Sequence, residues 1–291
     1  MSWRNTGILL VVALALGAAI WFSNRQQVEE QEATEQARRL FGGLEGGQVE
    51  WIQLVTSDGR DARLARRDGA WRVVEPVDFP ADATAADAIA TALATLASEA
   101  VIEDPQPAAV YGLDEGATVL RFGAAGAEHE LRVGKKTPVG ANSYAATGGD
   151  LATVYTVATF KTTSFDKPLD DLRERRPLRF ERDDVTRIEV EWTDGGAVVE
   201  KRDGRWLLVE PIAGDGDETA IETLLSDLVF LRAAGFVAEP PPPAEVGLDA
   251  PQYRVVLTGR AEEGQEPPRW ELAIGGGVEL NTPAGPAAEP A

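Results

Sequence analysis

The sequence predicts an α+β protein in which an N-terminal transmembrane helix precedes two repeated antiparallel-sheet-plus-helix domains, the second of them truncated. Three observations lead to this fold class. The phrase RRDGAWRVVEP at residues 66–76 recurs at residues 201–211 as KRDGRWLLVEP, identical at seven of eleven positions. Asp-Gly pairs separate runs of alternating apolar residues, which is the sequence signal of β-hairpins. An uncharged apolar run also fills residues 7–22.

The repeat extends well beyond the quoted phrase. A constant spacing of 135 residues relates YGLD at 111–114 to VGLD at 246–249. A spacing of 141 relates HELRVG at 129–134 to the end of RWELAIG at 269–275. A surface loop absorbs such a length difference at little cost. We therefore interpret the chain as two copies of one domain, each large enough to bury its own core.

One amphipathic helix is expected after the first three strands of each copy. Thr84 and Asp87 fit the S/T-x-x-D/E capping box that starts a helix. Thr219 and Glu222 repeat that box in the second copy. The apolar residues at helical spacing, which predict the face packed on the sheet, are Ile89, Leu93 and Leu96 in the first copy and Leu224, Leu228 and Leu231 in the second.

The run at residues 7–22 has the character of either a signal-peptide core or a short membrane anchor. It ends in bulky Ile20, Trp21 and Phe22 rather than in the small residues that cleavage requires. We therefore expect an anchor that is not cleaved. Arg4 precedes the run and the acidic stretch VEEQEATEQ follows it, so the positive-inside rule places the bulk of the chain outside the cytoplasm.

These signals give a predicted organisation for the whole chain. It comprises a transmembrane anchor with a short cytoplasmic N-terminus at 1–25, a stalk or linker at 26–48, a first α+β repeat at 49–160, a charged linker at 161–184, a second α+β repeat at 185–277 and a disordered tail at 278–291. The first copy continues with a strand pair over residues 142–157 that the second copy lacks. An edge of the second sheet is therefore expected to lie open for strand addition.

Composition narrows the function classes. The formal net charge of −20 disfavours nucleic acid, because phosphate binding is driven by clustered Lys and Arg. The absence of Cys excludes disulfides, thiolate metal sites and cysteine catalysis. His129 is the single histidine, so paired-His metal binding is not available. The sequence therefore predicts no catalytic, cofactor-binding or metal-ligating residues, and we expect that the protein is not an enzyme.

Several local motifs have a functional and a structural interpretation. VGKKT at 133–137 departs from a phosphate-binding loop at two positions, and a hairpin turn is favoured. GDGDET at 214–219 lacks the ligand spacing of a calcium loop, and helix capping is favoured. Trp71 and Trp206 could stack on a sugar, but aromatics in amphipathic strands are usually core residues. The basic run LRERRPLRF at 172–180 could dock an acidic partner or be a solvated linker.

The order of these motifs resembles a known bacterial family. An N-terminal anchor is followed by W-x-x-x-x-P at Trp71 to Pro76, an amphipathic helix, Y-G-L-D at Tyr111 to Asp114, and a strand that ends at Gly134. The chain is thereby similar to the family called domain of unknown function 4340 over about residues 49–180. The second copy matches in part over 185–277, with Val246 in place of the Tyr.

That resemblance implies genes beside ABC-type transporters of the gliding-motility kind and a membrane-anchored component of the cell envelope. It implies no catalytic residues. We expect a non-catalytic accessory or scaffold subunit of an ABC-type transport complex, single-pass in the bacterial inner membrane with its bulk in the periplasm. The expected partners are an ABC-type permease or other membrane protein and the membrane itself, without nucleic acid. The alternative is a periplasmic ligand-binding protein or hydrolase with a cleft between the repeats.

Overall fold

A computed structural model describes residue 21 and residues 33–56, 58–149, 151–237, 240–261 and 264–277. The predicted anchor at 1–25, apart from Trp21, and the predicted tail at 278–291 lie outside these residues. Within the described part of the chain, no helix combines the length and the apolar composition that a membrane crossing requires.

The described chain divides into two compact units, Met1–Glu174 and Arg175–Ala291. The strands of the first unit are β1 Val49–Val55, β2 Asp61–Arg67, β3 Ala70–Glu75, β4 Phe79–Pro80, β5 Ser98–Ile102, β6 Thr118–Ala124, β7 Ala127–Lys136, β8 Asn142–Thr147 and β9 Val154–Ala158. Its helices are α1 Ala83–Thr95, α2 Thr159–Thr162 and α3 Leu169–Leu172. The second unit contains β10 Val185–Trp192, β11 Gly195–Arg202, β12 Arg205–Glu210, β13 Gly214–Asp215, α4 Glu218–Phe230, β14 Tyr253–Gly259 and β15 Arg269–Ile274.

Each unit is built on one antiparallel sheet, which confirms the mixed α+β class. The first sheet has the order β4-β3-β2-β1-β6-β7-β8-β9-β5, and the second has the order β13-β12-β11-β10-β14-β15. The six strands of the second sheet thus follow the order of six strands of the first. Asp68 and Gly69 both have positive φ (52° and 79°) between β2 and β3, as a two-residue hairpin turn requires.

Helix α1 covers one face of the first sheet. Its N-cap is Asp82, whose Oδ1 accepts a hydrogen bond from Ala85 N at 2.8 Å. The helix therefore begins two residues before the capping box expected at Thr84. The apolar stripe is found where its spacing predicts it, with Ile89, Leu93 and Leu96 fully buried. Together with the inward side chains of the strands, this stripe forms the larger core.

Helix α4 is capped in the same way, since Asp217 Oδ1 accepts from Ala220 N at 3.0 Å. Its buried residues are Ile221, Leu225 and Leu228. Leu231, expected on the buried face, is instead partly exposed to solvent. The second helix therefore buries its N-terminal and middle turns and leaves its C-terminal end open.

Residues outside the predicted repeat boundaries belong to the cores. Phe41 and Leu44, from the predicted stalk, are buried in the core of the first unit. Phe165 and Leu172, from the predicted charged linker, are buried in the same core, and Leu178 is buried in the core of the second unit. Burial of these apolar side chains therefore stabilises the positions of both segments.

Candidate functional site: the open edge of the second sheet

The two sheets differ on the outer side of β7 in the first unit and of β15 in the second. In the first sheet β7 pairs with β8 along its outer side, in a register that places Leu131 opposite Thr147 and Val133 opposite Ala145. Strands β9 and β5 then extend the sheet further. In the second sheet β15 pairs with β14 and is the last strand in the order. Among the described residues, the outer side of β15 has no strand partner.

A close backbone contact identifies β7 and β15 as strands at the same position. Lys135 N donates to the carbonyl oxygen of Tyr111 at 3.1 Å. Gly276 N donates to the carbonyl oxygen of Val246, also at 3.1 Å. In both units the end of the strand therefore lies against the turn that contains the Gly-Leu-Asp sequence. This shared contact shows which residues of the two units can be compared.

Strands β8 and β9 cover apolar residues of that turn in the first unit. Leu113 has no exposed surface and lies in a small cluster with Ala146 of β8 and Val154 of β9. The residue at the same position in the second unit is Leu248, which is 41% exposed. The second unit therefore presents to solvent an apolar side chain that the first unit covers with its added strands.

A row of three large side chains crosses the second sheet near its open edge. Trp192 lies opposite Tyr253, and Tyr253 lies opposite Ile274. Their exposed fractions are 43%, 50% and 44%. Directly opposed side chains on one face of a sheet contact each other. We call these three residues the apolar row.

The same place in the first sheet carries smaller side chains that are buried or partly buried. Thr118 of β6 lies opposite Val133 of β7, and Thr56 follows the last residue of β1. Thr56 is buried, and Val133 is partly buried against the core. The second unit thus has an exposed row of large side chains where the first has a less exposed row of small ones, and such an exposed row is the kind of surface that marks an interaction site.

The opposite face of these strands carries paired charges. Arg187 Nε donates to Glu189 at 2.9 Å, and Arg187 also contacts Glu200. Arg202 Nη2 donates to Glu200 at 2.6 Å, and this hydrogen bond holds the pKa of Glu200 below its ordinary value. Successive side chains of a strand point to opposite faces. The apolar row therefore lies on the other face, the one that also carries the buried residues Ile188, Val255 and Leu257.

His129 lies on β7 between two aromatic rings. Its ring centroid is 5.4 Å from that of Phe41 and 5.1 Å from that of Phe122. In the ranges the structure describes, there is no cluster of three or more His, Cys, Asp or Glu side chains that could hold a metal ion. The histidine is thus placed as a packing residue at the edge of the first core.

The other motifs with two interpretations occupy structural positions. Trp71 and Trp206 are buried core residues. VGKKT at 133–137 forms the end of β7 and the turn after it. Asp217 caps α4, and the basic run at 172–180 carries the buried Leu172 and Leu178.

Sequence reasoning did not find the apolar row. Alternation along β10 predicts that Trp192 shares a face with Ile188, but cross-strand register places it beside Tyr253 and Ile274, and no short-range pattern encodes that register.

A family model described as Domain of unknown function (DUF4340) matches residues 71–251. The chain belongs to the DUF4340 family. The match begins in β3 of the first unit and ends just before β14 of the second, so the DUF4340 pattern takes in residues of both units. It starts later than the similarity expected over residues 49–180 and continues beyond it. No curated protein and no solved structure matches the chain.

Proposed function

We propose that this DUF4340 protein is a non-catalytic, membrane-anchored accessory or scaffold subunit of an ABC-type transport complex in the bacterial cell envelope. It acts by contact, and its second unit binds the partner. The observation that carries this proposal is the open outer side of β15, at the position where the first unit adds β8. Strand addition to such an edge is a recurrent mode of protein recognition.

The proposal includes the duplication read from the sequence. The two units are copies of one domain, and among the described residues the second has no strands corresponding to β8, β9 and β5. The shared strand order and the paired contacts of Tyr111 and Val246 with the following strand support this interpretation. In this proposal the first unit has a complete sheet and the second unit offers an open strand edge to the partner.

The proposal also includes the membrane anchor at residues 7–22, with the two units in the periplasm and an ABC-type permease or other membrane protein as the partner. A tether confines both units near the bilayer and raises their effective concentration for a membrane partner. The uncharged run of residues 7–22 and the arginine that precedes it support this arrangement.

Gentle detergent extraction of the full-length protein tests the proposal. A multi-span permease should be recovered with the intact chain, and deletion of residues 185–291 should reduce that recovery. His129→Ala is the matched control, because His129 lies in the first unit and packs between aromatic rings. Loss of function in His129→Ala with the complex intact would contradict the proposal and favour a catalytic or ligand-binding role.

A further inference from the structure

The apolar row ends at the open edge of the second sheet, since Ile274 lies on β15, the last strand in the order. We infer that β15 and the apolar row together receive one extended segment of the partner protein, paired as an added strand. That segment carries an aliphatic side chain against Ile274 and an uncharged polar side chain on the opposite face. The inference rests on the proposed function and specifies the chemistry of the partner.

The first unit shows what occupies this position. Ala145 of β8 lies opposite Val133 of β7 and is completely buried in the core. Ile274 stands where Val133 stands, because Val133 pairs with Thr118 as Ile274 pairs with Tyr253. A strand added to β15 therefore places one of its side chains beside Ile274 on the helix side, and only an apolar side chain fits there without leaving a buried polar group.

The apolar row extends the contact beyond the edge strand. A side chain placed beside Ile274 also comes near Tyr253, which lies on the next strand. Trp and Tyr are enriched where partners meet because they bring large contact areas with few rotatable bonds. The apolar row therefore gives the added strand a side-chain contact in addition to backbone hydrogen bonds.

The charges on the opposite face are balanced. Arg254 Nη1 donates to Glu271 at 2.9 Å, and Arg254 Nε lies 3.8 Å from Glu191. Arg269 lies on the same face of β15 as Glu271, two residues away along the strand. Two arginines thus accompany two carboxylates next to the edge, so an uncharged polar side chain of the added strand meets no unbalanced charge there.

The net charge of the chain disfavours a second copy as the occupant. A second copy would bring the same net charge of −20 to the interface. Like charges placed together suppress such a pairing. An uncharged segment of a different protein meets both the apolar and the electrostatic requirement.

Photo-crosslinking in cells that make the full-length protein tests the inference. A benzophenone amino acid at position 274 should crosslink to one protein, and peptide mapping should place the link in an extended, Pro-poor segment in which apolar and polar residues alternate. The same amino acid at position 139 is the control, because Val139 is exposed in the turn after β7 and belongs to the first unit. Position 139 should give no such link.

Two substitutions separate the contact from general surface effects. Ile274→Lys should lower co-purification of the partner that the crosslink identifies by about tenfold or more, because it places a charge in a desolvated contact. Val139→Lys should leave recovery unchanged. Circular dichroism of both purified variants should match that of the unsubstituted protein, since both side chains lie at exposed positions.

The outcomes distinguish this inference from the proposed function. A crosslink from position 274 to a second copy, to residues 278–291 or to a helical segment would overturn the inference, as would no crosslink with undiminished recovery in Ile274→Lys. If the permease still co-purifies in those cases, the proposed function stands alone. If no permease is recovered but position 274 links to an extended segment of another protein, the inference stands and the proposed function fails.

Discussion

Gly134 lies so close to Tyr111 that a Cβ atom on the glycine would be 2.3 Å from the tyrosine carbonyl oxygen. The corresponding Cβ at Gly275 would be 2.0 Å from the carbonyl oxygen of Val246. These distances are well below any real carbon-to-oxygen contact, and the atom approached is backbone. The glycine near the end of the strand in each unit is therefore required by close packing of two backbone segments.

Gly134→Ala should destabilise the first unit by about 1–3 kcal/mol, because the new methyl group must push the turn away from β7. Hydrogen exchange of peptides from β7 and from residues 108–114 measures this locally. Gly149→Ala is the control, since a Cβ there meets no atom within 4 Å. Equal exchange rates in the two variants would show that the turn moves to accommodate the methyl group without loss of stability.

Trp71→Phe should cost more stability than Trp206→Phe. Trp71 Nε1 donates to Asp87 Oδ1 at 2.7 Å, whereas Trp206 Nε1 is buried without a hydrogen-bond partner among the described residues. Both changes remove similar ring volume, but only the first breaks a hydrogen bond to a charged group, worth about 1.5–3 kcal/mol. Local hydrogen exchange in each unit gives the comparison, and a larger loss for Trp206→Phe would contradict it.

Phe165→Ala should destabilise the first unit by about 3–5 kcal/mol, the usual cost of removing a buried aromatic ring. Phe165 is fully buried although it lies in the segment expected to be a charged linker. Phe160→Ala is the matched control, because Phe160 lies five residues before Phe165 and is 71% exposed. Thermal unfolding followed by near-ultraviolet circular dichroism compares the two variants. Similar melting curves would indicate that the segment around Phe165 is a linker that contributes little to the core.

Glu130 should contribute stability that is lost in acid. Burial raises its pKa, but hydrogen bonds from Arg132 and Arg121, each at 2.9 Å, outweigh burial and hold the pKa below its ordinary value. A depressed carboxyl pKa stabilises the fold fully above the unfolded value of about 4.3, and that contribution disappears as the pH falls through the folded pKa.

Glu130→Gln should accordingly lower stability at pH 7, and the difference from the unsubstituted protein should shrink below pH about 4. Denaturant unfolding of the first unit at both pH values measures this. A difference that stays constant across that range would show that the two arginines act through packing of their side chains rather than through charge.

Much of the fold follows from local sequence. Asp68 and Gly69 predict the hairpin that the structure contains, and the spacing of Ile89 and Leu93 predicts the buried face of α1. Local sequence patterns do not predict burial where it depends on tertiary packing. Phe165 lies in a charged stretch that reads as solvated, but its ring fills space beneath the sheet, and no local pattern distinguishes such a residue from an exposed one.

The candidate site was predictable in part. The lack of a second strand pair after residues 269–274 predicted an open edge, and β15 is the last strand of its sheet. The apolar row was not predictable, because Trp192 and Ile274 are far apart in sequence and meet only through the register of β10, β14 and β15. A shift of one residue in either pairing would have put those side chains on different faces.

Among the described residues the outer side of β15 is unpaired, and this bears on how a cell would handle the protein before assembly. An exposed strand edge is a template on which other unfolded or edge-bearing chains can add, and natural proteins keep such edges covered. Under the proposed function, a chain made in excess of its partner would retain that edge, and proteases and chaperones act on such surplus chains. Matched synthesis of the chain and its proposed partner would therefore limit aggregation, independently of any gain in transport.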